Sequence, residues 1–202
     1  MQEIEDVLSY WFSPRPTTKE EVEAKKQFWF YGGNAVDREI RERFSTLVER
    51  ACRGELDAWK ATPRGTLALI ILLDQFTRNV YRGSARAFAQ DPIALELTRT
   101  GFESGQFEGL DAIERMFAAL PLRHAEDIES QKLGVALAVR DALGATPLLE
   151  EFLIYSVDWA RKHLDVIVRF GRFPHRNAAL GRKSTPSELE YIEYLRLAGQ
   201  WL

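Results

Sequence analysis

Apolar side chains recur with the spacing of an α-helix along almost the whole sequence. One such stripe lies near the start of the chain and comprises Ile4, Val7, Leu8, Trp11 and Phe12. Residues spaced three and four apart share one face of a helix, and no segment alternates convincingly with the two-residue period of a strand. The pattern therefore predicts an all-α protein. Because no linker or low-complexity segment interrupts it, we expect residues 1–202 to form a single domain.

Capping residues, prolines and glycines mark the expected helix boundaries. Thr18 is followed three residues later by Glu21, and Thr185 is followed by Pro186 and Glu188, both patterns of a capped helix start. A third helix is predicted to open at Asn34 or Asp37. Further predicted starts are Thr62-Pro63, Asp91-Pro92, Asp111, Glu126 and Pro147. The helices from Asp111 and Glu126 are expected to end at Leu120 and Leu143.

The most apolar run of the chain extends from Leu67 to Leu73. A run of this kind is either a buried strand or a helix that is apolar on every side. We predict a central buried helix over about 63–78, because the flanking signals are helical and no partner strand is evident. It ends in the polar residues Asp74, Gln75, Arg78 and Asn79. These residues either line a ligand-binding cleft or satisfy the helix end and pair with a buried arginine.

A basic segment lies near the end of the chain. Residues 161–183 contain seven Lys or Arg residues against the single carboxylate of Asp165, in a chain with a net charge of −3. Within the loop predicted over 169–183, the candidate ligand-binding residues are Arg169, Arg172, Arg176, Asn177 and Arg182. Guanidinium groups recognise carboxylate or phosphate through paired hydrogen bonds. They can equally well form ion pairs with carboxylates of the protein itself. The sequence leaves open whether these arginines bind a ligand or pair with the protein's own acids.

Histidines and further arginines complete the candidate site. His124, with Glu126 or Asp127 as its orienting carboxylate, could act as a general acid or base, and His175 is a second catalytic candidate. A capping carboxylate beside a histidine that only hydrogen bonds is the alternative. His163 lies on an apolar helix face and is a candidate ligand-binding residue. Arg82 and Arg86 flank a Gly-Ser turn that could receive an anion or could simply cap a helix.

Several classes of function find no support in the sequence. The net charge of −3 and the pI of about 5.7 argue against nucleic acid or an anionic membrane as partners. No familiar metal-binding spacing or nucleotide-binding glycine motif is present, so we predict neither a metal nor a cofactor. The acidic first residues do not resemble a signal peptide, and a single cysteine excludes an internal disulfide. We therefore expect a cytoplasmic protein.

Four motifs resemble a bacterial family known as domain of unknown function 924. They are LALIILLDQFxRN at 67–79, YRGSARAFAQD at 81–91, PLxHxED at 121–127 and RFGRFPHRNxxLGRxST at 169–185, and VLxYWF at 7–12 fits as well. The resemblance covers essentially the whole chain. It implies a fold of the tetratricopeptide-like superfamily, built from antiparallel helical hairpins. It implies no established activity.

Two functions from different classes follow from these patterns. The first is a site for a small carboxylate or phosphate, with or without catalysis, formed by the arginines and histidines named above. The second is a scaffold whose helical hairpins present a groove to a peptide of a partner protein. In the second case the polar motifs would form a buried structural network. The sequence does not indicate the oligomeric state.

Overall fold

A computed structural model describes residues 2–198, and these residues form one helical domain in which no strand occurs. The prediction of an all-α fold is thus confirmed, while residue 1 and residues 199–202 of the expected domain lie outside the described residues. The helices are α1 (Gln2–Phe12), α2 (Lys19–Tyr31), α3 (Gly33–Cys52), α4 (Pro63–Ile70), α5 (Thr77–Val80), α6 (Asp91–Glu103), α7 (Ala112–His124), α8 (Ile128–Leu143), α9 (Glu150–Phe170) and α10 (Pro186–Leu197). Short 3₁₀ turns cover Asp57–Ala61, Ala85–Ala87 and Pro174–Arg176.

Four of the eight predicted helix starts, at Thr18, Thr62, Asp111 and Thr185, are confirmed by side-chain caps, whereas α9 begins at Glu150 and not at Pro147. The Thr18 and Thr185 side chains each accept a hydrogen bond from the backbone N–H of a glutamate three residues later, and the side chain of that glutamate accepts one from the backbone N–H of the threonine. The third helix, however, begins at Gly33 and not at Asn34 or Asp37. Asp37 lies inside α3, where its buried carboxylate binds Arg82 instead of capping a helix end.

The predicted central helix exists, but its middle is wound differently. The chain is α-helical over Pro63–Ile70, passes through a π-helical segment at Ile71–Phe76, and returns to α-helix at Thr77–Val80. Leu67 to Leu73 are all at most 2% exposed, so this rod forms the centre of the core. A π-segment widens a helix by one residue and often occurs at functional sites. It changes the direction in which the following side chains point.

Helix α7 is longer than predicted. It continues through Pro121 and ends at His124, whereas Leu120 was the expected end. The next helix begins at Ile128, with Asp127 as its cap: the Asp127 side chain accepts a 2.8 Å hydrogen bond from the Ser130 backbone. Because α7 extends one further turn, Arg123 and His124 belong to a helix and not to a loop.

Helices α7, α8 and α9 pack side by side in alternating directions. Arg115 near the start of α7 bonds Asp141 near the end of α8, and Gln131 near the start of α8 bonds the backbone carbonyl of Arg123. Such antiparallel neighbours are compatible with tetratricopeptide-like hairpins, an assignment that stays a prediction. None of the helices within residues 2–198 is long and apolar enough to cross a membrane.

Candidate functional site

A pocket of about 290 Å³ opens between the end of the central rod and helices α2, α7 and α9. The rod contributes Gln75, Arg78 and Asn79, and α7 contributes Arg123 and His124. Six aromatic residues of α2 and α9 form much of the wall: Trp29, Phe30, Tyr31, Phe152, Tyr155 and Trp159. Phe30 and Tyr31 are 40% and 54% exposed, which places them at the mouth. The pocket therefore has apolar walls and a polar base.

The charges that line the pocket are of one sign. Its lining within residues 2–198 includes Arg78, Arg82 and Arg123, together with His124 and His163, but no Asp or Glu. The carboxylates that neutralise two of these arginines stand behind them. Asp37 binds Arg82 at 2.7 Å, and Asp74 and Asp91 bind Arg78. An entering molecule consequently meets cations and neutral groups.

Asp74 is fully buried and joins the π-segment to α7. Its Oδ1 lies 2.6 Å from Nδ1 of His124 and 3.3 Å from Nη1 of Arg78, and Gln75 donates to its other oxygen. Burial opposes ionisation of this carboxyl, but the charge of Arg78 and the hydrogen bonds from His124 and Gln75 outweigh burial and lower the pKa of Asp74. Asp74 is therefore an anion that orients the imidazole of His124.

Both pocket histidines are neutral and share one tautomer. Burial lowers the pKa of His124, and nearby arginines add to this effect although Asp74 opposes it. Burial also lowers the pKa of His163 to about 3. The Nδ1 of His163 lies 2.8 Å from the backbone carbonyl of Trp159, which can only accept, so Nδ1 carries the proton. Nδ1 of His124 likewise donates to the ionised Asp74.

Arg123 is a buried cation that no carboxylate of residues 2–198 contacts. It is 4% exposed, and its Nη1 donates to the Ser156 hydroxyl at 2.8 Å and to the Ser156 carbonyl at 3.3 Å. Its Nε and Nη2 are buried and have no hydrogen-bond partner in the part of the chain that the structure describes. Burial lowers the pKa of Arg123 to about 10. The charge of Asp141 opposes this shift, and the guanidinium remains charged near neutrality.

The arginines of the basic segment bind carboxylates of the protein. Arg172 holds Glu188 with two hydrogen bonds of 2.7 and 2.9 Å. Arg182 holds Glu126 in the same way, at 2.6 and 3.0 Å. Arg176 is buried, 3.1 Å from Asp91. These contacts correspond to the alternative in which guanidinium groups clamp the protein's own acids.

The remaining predicted residues of this segment also lie outside the pocket lining. Arg169 is exposed with its guanidinium over the Phe170 ring, and Asn177 is buried and donates to the Ser184 hydroxyl. His175 packs against Phe173, and burial lowers the pKa of His175 to about 3.

The structure pairs His124 with a different carboxylate from those expected. Glu126 accepts from Arg182 and from the Phe173 backbone, and Asp127 caps α8, so neither bonds His124. Arg86 is exposed and binds Glu49 at 2.7 Å, away from the pocket. Of the predicted site residues, those that line the pocket are Gln75, Arg78, Asn79, Arg82, His124 and His163, and Asp74 lies directly behind them.

Comparison with known proteins identifies the family. A family model described as bacterial protein of unknown function (DUF924) matches residues 7–195. The chain belongs to the DUF924 family. The DUF924 chain is also similar to a solved structure, that of a protein of unknown function from Agrobacterium tumefaciens. The two are 34% identical, the match covers 96% of this chain and 98% of the other, and the TM-score is 0.79.

No protein of curated function is detectably similar in sequence to the DUF924 chain. The resemblance to the family that the motifs suggested is thus confirmed, and the fold of the A. tumefaciens protein agrees with the helical architecture described above.

Several residues of the pocket were not predicted. Arg123 is one of them, although it directly precedes His124, because α7 was expected to end three residues earlier. Tyr155 and Trp159 are two others, and with the predicted His163 they follow one another at intervals of four residues, a signal that the three share a face of α9. That spacing alone does not distinguish a pocket wall from a core.

Proposed function

We propose that this protein binds a small molecule carrying a carboxylate or phosphate group, with Arg123 as the counter-charge. The observation that carries the proposal is the composition of the pocket: among its described lining residues, three arginines and two histidines occur without any carboxylate. Sites for small molecules commonly combine apolar walls with a few convergent polar groups. Aromatic walls over a cationic base form such a combination.

The energetics of Arg123 support this role. A shift of its pKa from 12.5 to about 10 corresponds to roughly 3 kcal/mol by which burial disfavours the charged form. An ion pair would offset this penalty, but the nearest protein partner, Ser156, is uncharged. A bound anion would supply the missing charge. Residues that destabilise the free protein while serving a ligand are expected at binding sites.

The test is an Arg123→Met variant, examined by calorimetric titration with benzoate and with inorganic phosphate. Methionine keeps the apolar stem of arginine and removes the charge. We expect anion binding to weaken about 10- to 100-fold, because hydrogen bonds to charged groups contribute about 1.5–3 kcal/mol. We also expect the free energy of unfolding to rise by about 1–3 kcal/mol, because the uncompensated charge is gone.

The matched control is Arg169→Met. Arg169 is exposed and lies in the basic segment, outside the pocket lining. Its replacement should leave both affinity and stability unchanged. The proposal fails if neither anion binds the unmodified protein, or if Arg123→Met binds anions as tightly as the unmodified protein does.

A second candidate function is proton transfer to or from the bound molecule. It is favoured by the 2.6 Å contact between Asp74 and His124, since a buried carboxylate that orients an imidazole is a common arrangement for general acid–base catalysis. Compounds recovered chemically unchanged after prolonged incubation with the protein would count against it.

The scaffold function stays an alternative. A peptide groove requires accessible residues along several helices, and Phe30, Tyr31 and Ile154 on α2 and α9 are exposed. A peptide that binds equally well to the protein and to Arg123→Met would favour the scaffold. A peptide or small acid that depends on Arg123 would favour the anion pocket.

A further inference from the structure

The two imidazoles of the pocket offer acceptors and not donors. In His124 and in His163 the proton lies on Nδ1, which is held by Asp74 and by the Trp159 carbonyl, respectively. Within residues 2–198 no protein group bonds Nε2 of either ring. A neutral imidazole whose Nδ1 carries the proton accepts at Nε2. A ligand group that meets these nitrogens must therefore be a donor, such as a hydroxyl or an amine.

Arg123 and the acceptor of His163 are separated along α9. Arg123 is hydrogen-bonded to Ser156, and His163 lies two helical turns beyond Ser156 on the same helix, roughly 11 Å from Ser156 along the helix axis. The ring centres of His163 and His124 are 6.3 Å apart. One molecule that satisfies both ends must carry its anion and its donor at opposite ends.

Aromatic rings form the wall of the pocket along α9. Trp159 lies between Ser156 and His163 in the helix, and Phe152 lies one turn before Ser156, where its ring packs against that of Trp29 with centres 5.8 Å apart. The volume of about 290 Å³ is at the lower end of the roughly 300–1,000 Å³ typical of small-molecule pockets. Aromatic walls favour an aromatic guest through edge-to-face and offset contacts. The middle of the ligand is thus a flat apolar group of modest size.

From this geometry we infer the ligand class: an aromatic carboxylic acid that carries a hydroxyl or amine group at the end remote from the acid. This inference rests on the proposed anion pocket and narrows its ligand. The carboxylate would meet Arg123, the ring would lie against the aromatic wall, and the donor would reach Nε2 of His163. An inorganic anion would leave the walls unfilled, and a purely aliphatic acid would leave both imidazole acceptors unpaired.

The experiment is a calorimetric titration of the full chain with four probes: 4-hydroxyphenylacetate, 4-methylphenylacetate, acetate and 4-hydroxybenzyl alcohol. The methyl compound has nearly the shape of the hydroxyl compound but no donor. We expect 4-hydroxyphenylacetate to bind about 10-fold more tightly than the methyl analogue, from one added hydrogen bond. We expect it to bind at least about 10-fold more tightly than acetate, from burial of the ring. The alcohol lacks the anion and should bind weakly.

A His163→Phe variant isolates the role of the imidazole. It removes the acceptor but keeps a ring of similar size, so the preference for hydroxyl over methyl should shrink to about 2-fold or less while 4-methylphenylacetate still binds. Arg123→Met should weaken all three acids and leave the alcohol unaffected.

The outcomes distinguish failure of the inferred ligand class from failure of the proposed anion-binding function. If acetate binds through Arg123 but the aromatic acids bind no better, the ligand class is wrong and the anion pocket stands. The same conclusion follows if hydroxyl and methyl compounds bind equally, or if His163→Phe retains the preference. If no acid shows a dependence on Arg123, the proposed function fails as well.

Discussion

All three histidines of the chain are held in their neutral form. Burial lowers the pKa of His163 and of His175 to about 3, and it lowers the pKa of His124 below its ordinary value. In the unfolded chain each imidazole would take up a proton near pH 6.5. The unfolded state therefore binds more protons than the folded state once the pH falls below that value, and acid destabilises the fold.

We accordingly expect the free energy of unfolding to fall as the pH is lowered from 6.5 to 5. Each depressed histidine contributes a slope of up to about 1.4 kcal/mol per pH unit. The low-pKa carboxyls, such as Asp74, lose their contribution only below the unfolded value of about 4, so this window reports mainly on histidines. Asp91 acts in the opposite direction because burial raises its pKa.

Urea unfolding at a series of pH values checks the slope. His163→Phe provides the matched comparison, because it removes one titrating group and should reduce the slope by up to about 1.4 kcal/mol per pH unit. A free energy of unfolding that stays constant between pH 6.5 and 5 would contradict the assignment of neutral, buried histidines.

Individual site residues were only partly predictable. Asp74, Gln75 and Arg78 stand out in the sequence because polar groups that follow a buried helix need partners. Their partners could not be identified, because the Asp74 to His124 bond joins residues 50 positions apart and depends on how two helices cross. The same applies to Arg172 and Glu188, whose pairing requires α10 to fold back over the basic segment.

At the scale of elements, the π-segment determines which groups point toward the pocket. A π-helix interrupts the usual pattern of backbone hydrogen bonds. Here the Thr77 hydroxyl donates to the Leu73 carbonyl at 2.8 Å, and Arg78 donates to the carbonyl of Asp74. Two carbonyls within the irregular region are thus satisfied by side chains. This compensation stabilises the geometry that holds Asp74 against His124.

A Thr77→Val variant tests this compensation. Valine keeps the shape of threonine but leaves the buried Leu73 carbonyl without the hydroxyl, so we expect a loss of about 1–3 kcal/mol in the free energy of unfolding. Thr100→Val is the control, since Thr100 is exposed on α6. Chemical denaturation of both variants provides the comparison. Equal, negligible losses in the two would show that the π-segment does not need this bond.

The π-segment itself could not be predicted. An apolar run such as Leu67 to Leu73 fits an α-helix and a π-helix equally well, because every face of the rod is buried. The end of α7 was missed for a related reason. Proline usually disfavours a continuing helix, yet here α7 passes through the buried Pro121 to reach His124.

At the scale of the whole molecule, the fold was largely predictable, since its signals are local. Capping boxes at Thr18 and Thr185, and apolar stripes of helical period, specify where helices begin and which faces they bury. The pocket arises where α1, α2, α7, α9 and the central rod meet, and no local signal encodes the relative placement of these elements. The basic segment stands out in the sequence because its charges lie close together, whereas Arg123 is a single residue beside a histidine.

The most direct test of the central claim is a crystal structure of the protein grown with 4-bromobenzoate, in which anomalous scattering locates the bromine. We expect the bromine among the aromatic walls of the pocket and the carboxylate within about 3 Å of the Arg123 guanidinium. Bromine found only on the surface of the 169–183 segment, or a carboxylate directed away from Arg123, would contradict the account.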